Sequence, residues 1–119
     1  MKEKINSYRD LRVFNNAMDA AMKIFDLTKA FPPEEKNSLI DQIRGSSRSV
    51  CSSIGEAWRK RRYQNTFTVK LNDAESEACE TQVWVQFSRM CDYLEDEVCD
   101  EFKESDKWII KSDRFTNSN

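Results

Sequence analysis

Apolar residues recur along this chain at intervals of three and four, the repeat of one face of an α-helix, and four segments carry that repeat. From about Asp10 to Ala30 there are two stripes. Leu11, Phe14, Met18, Ala21 and Phe25 form one; Val13, Ala17, Ala20, Ile24, Leu27 and Phe31 form the other. Together they cover roughly half of the helix circumference, wider than the apolar face of an ordinary surface helix. Phe31-Pro32-Pro33-Glu34-Glu35 ends this helix and opens the next. Proline suits a first helical turn, and the two carboxylates complement its positive end.

The second helix is predicted to run from there to about Arg62, a length of about 43 Å. Leu39, Ile43, Val50, Ile54, Ala57 and Trp58 keep it apolar on one side, while Gly45, Ser46, Ser49, Ser52, Ser53 and Gly55 are small. Small residues let a neighbouring backbone come close. So many serines imply a helix held by packing rather than propensity. Gln64-Asn65-Thr66 is read as the next turn, with Asn65 as N-cap. The third helix carries Phe67, Leu71, Ala74, Ala78, Thr81 and Val85 on one stripe and Trp84, Phe87, Cys91 and Leu94 on another. A fourth is predicted from about Asp96 to Lys111 through Val98, Phe102, Trp108 and Ile109, with a frayed tail from Asp113 to Asn119.

Connections this short make successive helices antiparallel, so the pattern predicts an all-α, up-down-up-down four-helix bundle. At 119 residues the chain is expected to form one domain. The surplus apolar surface on the first and third helices then needs cover, and self-association is the simplest source. Trp58, Trp84 and Phe87 are the candidate interface residues. Trp84 leads, because Val83-Trp84-Val85 leaves no polar side for water. Core packing of the tryptophans, Trp108 included, is the competing reading.

Composition sharpens this picture. Two glycines and two prolines supply too few turns for a many-stranded sheet. The chain has no histidine, the commonest general base and metal ligand. Cys51, Cys79, Cys91 and Cys99 form no CxxC pair and are expected to stay thiols that behave as small hydrophobes. No cofactor, metal site or catalytic residue is therefore predicted. The start MKEKINSYRD lacks the apolar core of a signal peptide, and the expected location is cytoplasmic.

Net charge is −2, but residues 1–62 hold 13 basic and 8 acidic side chains, whereas residues 63–119 hold 6 and 13. Such asymmetry marks an anion-binding face, or pairs one helix with another inside an assembly. The densest cations are Arg59, Lys60, Arg61 and Arg62, followed by Tyr63, with Arg44 and Arg48 upstream on the same helix. Guanidinium groups bind phosphate bidentately, and Tyr63 or Trp58 offers a ring for base stacking. The plainer reading is that cations complement the negative end of a helix. Glu56 and Glu80 are the carboxylates expected to be partly buried, pairing with Arg44, Arg48 or Arg59 to fix helix register.

The segment from Leu39 to Arg62 resembles the family of four-helix-bundle proteins encoded in intervening sequences of bacterial 23S ribosomal RNA genes. The likeness rests on Asp10-Leu11-Arg12-Val13-Phe14, on Phe31 to Glu35, and on Leu39, Gln42, Ile43 and Arg44. These lead into Ser49-Val50-Cys51-Ser52-Ser53-Ile54-Gly55-Glu56-Ala57, and Leu71, Ala74 and Glu80 follow. Gly45 stands where the family usually has arginine, Ser53 where it has asparagine and Gly55 where it has alanine. The resemblance implies a small cytoplasmic bundle that assembles into a ring, typically a homopentamer. A related protein is the accessory subunit of diversity-generating retroelements, which binds nucleic acid and its partner reverse transcriptase. The function implied is a non-enzymatic scaffold or accessory protein associated with RNA or DNA. The alternative is a protein–protein adaptor that binds no nucleic acid.

Overall fold

The computed structural model describes residues 5–103, and among them it is all-α with four helices: α1 (Arg12–Thr28), α2 (Asp41–Arg59), α3 (Gln64–Met90) and α4 (Asp96–Lys103). The helix anticipated from Asp10 starts two residues later. Ser7 and Asp10 form a capping box around a single 3₁₀ turn, with Ser7 Oγ accepting from Arg9 N and Asp10 Oδ2 accepting from Ser7 N. Leu11 is then extended (φ −77°, ψ 128°) so that its side chain can be fully buried, and the α-helical ladder begins only after it.

The second helix is not continuous back to the proline pair. Pro33–Glu35 form a 3₁₀ turn and Lys36–Ile40 a π-helical turn before α2 begins. Leu39 and Ile40, at the end of that turn, are both buried and form a small cluster with Phe31, Trp84, Tyr93 and Leu94. Tyr93 Oη donates to Glu35 Oε2 at 2.9 Å and Ser38 Oγ to Glu35 Oε1 at 2.6 Å, tying this entry to the α3–α4 turn.

Asn65 does not cap α3. Tyr63 N donates to Lys60 O at 2.9 Å, which closes the turn early, and Tyr63 occupies the N-cap while Asn65 lies exposed in the first turn. At the other end α3 stops in a Schellman arrangement. Asp92 adopts φ 61°, its N–H reaches Arg89 O, and Tyr93 N–H reaches Ser88 O at 2.8 Å. Aspartate there does what glycine usually does at a helix end. α4 is described to Lys103; the part of the fourth helix anticipated beyond it, with Trp108 and Ile109, lies outside the described residues.

Contacts across the seams fix the directions. Arg44 reaches Thr28 and Phe25, while Tyr8 lies against Gly55, so α1 and α2 are antiparallel. Thr81 meets Ser46 and Glu77 meets Ser53, so α2 and α3 are antiparallel. Arg89 pairs with Asp96 and Gln82 with the Phe102 carbonyl, so α3 and α4 are too. Lys23 of α1 pairs with Glu101 of α4 and closes the bundle. Leu11, Ile24, Ile43, Val50 and Ile54 fill the centre, and Ala74 and Ala78 let α3 approach. Several of the small residues of α2 serve this packing: Ser46, Ser47 and Ser53 are all buried. No helix among the described residues is long and apolar enough to cross a membrane.

Candidate nucleic-acid interface

The basic end of α2 is shaped by Trp58. Its ring is buried in the core at 8% exposure, and the Arg61 guanidinium lies 3.9 Å from the ring centroid, with Nη1 donating to Trp58 O at 2.8 Å. Two expectations change at once. Trp58 offers no free face for a base or for another copy of the chain, and Arg61 is already engaged. Arg59, Lys60, Arg62 and Tyr63 are exposed, and Lys60 Nζ stands 5.9 Å from the centroid of the Tyr63 ring. Among the described residues no carboxylate pairs with Arg59, Lys60 or Arg62. Tyr63 is 64% exposed and is the aromatic ring left for stacking here.

The fold adds a cation that linear reading missed. Tyr8 packs over Gly55, 3.9 Å from where a Cβ would stand, and Arg9 lies 5.4 Å from the centroid of the Tyr8 ring. Gly55 and Arg59 are one turn apart on the same face of α2, so Arg9 joins the basic end. The only trace of this in the sequence was the cation surplus of the first half, because 50 positions separate Arg9 from Arg59. Arg44 and Arg48 stand apart, about 16 to 22 Å back along the helix from Arg59. Arg44 donates to Thr28 Oγ1 at 2.8 Å and to Phe25 O at 3.3 Å, and both arginines stack over Phe25, at 4.7 and 5.8 Å. Arg44 is a clasp between α1 and α2.

The anticipated carboxylate roles are also redistributed. Glu56 is exposed and pairs with Lys70 at 2.7 Å rather than with an arginine; that hydrogen bond raises the Lys70 pKa. Glu80 is exposed and bonds to none of Arg44, Arg48 or Arg59. The acid that links helices through a small residue is Glu77, whose Oε1 accepts from the buried Ser53 hydroxyl at 2.6 Å. Ser53 carries the signal for it, as a hydroxyl on the inward face of α2.

Of the aromatic interface candidates, Trp84 is half-buried against the second cluster, its Nε1 buried without a hydrogen-bond partner among the described residues. Phe87 stacks on it at 5.8 Å and is 50% exposed. Half of the cysteines also depart from expectation. Cys51 and Cys99 are buried, but Cys79 and Cys91 are exposed.

The family model of the 23S rRNA-intervening sequence protein matches residues 9–112. The chain belongs to this family. No curated protein and no solved structure matches it. The three departures from the family pattern have different structural fates. Ser53 supplies the hydroxyl that Glu77 accepts, and Gly55 receives the Tyr8 ring. A Cβ at Gly45 would meet no described residue within 4 Å.

Proposed function

We propose that this member of the family is a non-enzymatic, cytoplasmic, self-assembling bundle that holds RNA or DNA by its phosphates at the basic end of α2. The observation that carries the reading is the exposure of Arg59, Lys60 and Arg62 around Tyr63, with Arg9 beside them and no carboxylate among the described residues paired to the three. Exposed guanidinium and ammonium groups displace counterions from phosphate, and Tyr63 supplies a stacking ring for an unpaired base. Nothing in the cluster reads base edges, so the contacts are with backbone and shape. In a ring, expected as a homopentamer from the family resemblance, the copies of this end add by multivalency.

The test is a binding titration of the purified protein with labelled structured RNA and duplex DNA over a salt series. Its comparison is an Arg59→Gln/Lys60→Gln/Arg62→Gln variant that leaves Arg61 on Trp58. Binding that weakens with salt, with a slope flattened by about two to three in the variant, supports the reading. Absence of binding by both proteins at low salt overturns it and leaves a protein–protein adaptor.

A further inference from the structure

The reading above leaves one surface of α3 unexplained. Val69, Val83, Phe87 and Met90 lie on a single outward stripe and are exposed, Met90 by 65%. Between them the stripe narrows to Ser76 and Cys79, and exposed Glu75 and Glu80 border it. The outward stripe of α2 has the opposite character. Gly45, Arg48 and Ser52 stand on it, with Asp41 at its start and exposed Glu56 at its edge. Gly45 is the informative residue. It is exposed in a helix interior, where glycine weakens the helix relative to alanine, and no described residue approaches its vacant Cβ position. Nothing among the described residues accounts for a glycine there.

We propose that these two faces pair between copies of the chain: the outer face of α3 of one subunit seats on the outer face of α2 of the next. The inference rests on the self-assembly reading and supplies its surfaces and its symmetry. Two different faces that complement one another make a heterologous, head-to-tail contact, which forms a ring where the rotation between copies closes and does not stop at a two-fold dimer. Charge and shape agree. An apolar stripe bordered by Glu75 and Glu80 meets small residues that flank Arg48.

The bundle itself sets the register. Within one chain, Ser46 is level with Thr81, Ser53 with Glu77 and Glu56 with Lys70. Copies arranged around an axis parallel to the bundle keep those levels. Val83 then faces the neighbour's Gly45, Glu80 faces its Arg48, and Ser76 faces its Ser52. A large side chain meets an empty Cβ position, an acid meets an arginine, and a small residue meets a small one. The end carrying Lys60, Arg62 and Tyr63 stays clear of the contact, at one rim of the assembly.

Complementation of two variants tests this. Glu80→Lys/Val83→Lys spoils only the α3 face and Gly45→Glu/Arg48→Glu only the α2 face; all four positions are exposed, and circular dichroism confirms that each variant folds. Masses are read by light scattering after size exclusion. The expected result is an oligomeric wild type, two monomeric variants, and association when the variants are mixed in equal amounts. An oligomeric Gly45→Glu/Arg48→Glu variant would show that the α2 face is not the seat of the neighbouring copy and overturn the proposal. A mixture that stays monomeric beside an oligomeric wild type overturns it as well. A monomeric wild type would instead remove the self-assembly reading on which the proposal stands, and the proposal with it.

Discussion

Thr81 Oγ1 lies 2.8 Å from Ser46 Oγ at the centre of the α2–α3 seam, and both residues are buried. Thr81 also lies 2.8 Å from Glu77 O, whereas among the described residues the only other partner of the Ser46 hydroxyl is Ile43 O, at 3.4 Å. The pair forms a polar bridge across an apolar interior. Thr81→Val therefore leaves Ser46 poorly satisfied and is expected to cost about 1–2 kcal/mol in urea denaturation. Ser46→Ala/Thr81→Val removes both partners and is expected to cost less than the two single changes added together.

The helices were legible because their apolar residues repeat at three and four, and the α2–α3 and α1–α2 approaches were announced by serine, alanine and glycine. The polar links were not. Ser53 was visible as a small inward residue, but Glu77 looked like one more charge on a solvated face, and only the seam shows which acid it meets. Glu56 and Glu80 were misplaced for the same reason: periodicity gives the face of a helix, not the neighbour that face will have. The basic end was legible as a charge run. Arg61 and Arg9 exchanged roles in the fold, because Trp58 captures one and Tyr8 delivers the other.

Tyr93 and Glu35 give a pH signature. Hydrogen bonds from Ser38 and then Tyr93 hold the Glu35 carboxyl below its ordinary range. The bond to Glu35, followed by burial, pushes the Tyr93 hydroxyl up to about 12. A raised phenol contributes stability that is complete below its ordinary value near 10 and is lost as pH rises through about 12. The lowered carboxyl acts in the other direction, contributing above its ordinary value near 4.5 and losing that contribution as pH falls through its depressed value. Tyr93→Phe is expected to remove the tyrosine step near pH 12 from an ultraviolet titration. It should also flatten the alkaline slope of stability.

The four thiols are expected to react in two classes. Burial raises Cys51 to about 11 and also raises Cys99, so both resist a thiol reagent until the chain unfolds. Cys79 and Cys91 react in the folded monomer. Cys79 lies within the outer stripe of α3, so its labelling should be slower in the assembled wild type than in the Glu80→Lys/Val83→Lys variant. Cys91, beyond the end of α3, should label at the same rate in both.

Neighbouring arginines at the basic end should separate by role. Arg61→Ala breaks the stack on Trp58 and the bond to its carbonyl, and is expected to cost about 1 kcal/mol in thermal or urea unfolding. Arg62→Ala, exposed and without an ion pair among the described residues, should leave stability within about 0.5 kcal/mol. Nucleic-acid affinity should fall with Arg62→Ala at unchanged stability. Equal destabilisation by the two substitutions would contradict the capture of Arg61 by Trp58.

Gly45→Ala separates helix propensity from assembly. In a chain held monomeric by Glu80→Lys/Val83→Lys, the added methyl meets no described residue within 4 Å, and alanine should stabilise the fold by about 1 kcal/mol. In the wild-type background the same methyl stands where the neighbour's Val83 is placed, so the oligomer should dissociate at a higher protein concentration. One substitution thus strengthens the subunit and weakens the assembly. The two effects are read by unfolding of the monomeric background and by dilution of the assembled one. Stabilisation without loss of assembly would mean that the open space at Gly45 is not where the next copy sits.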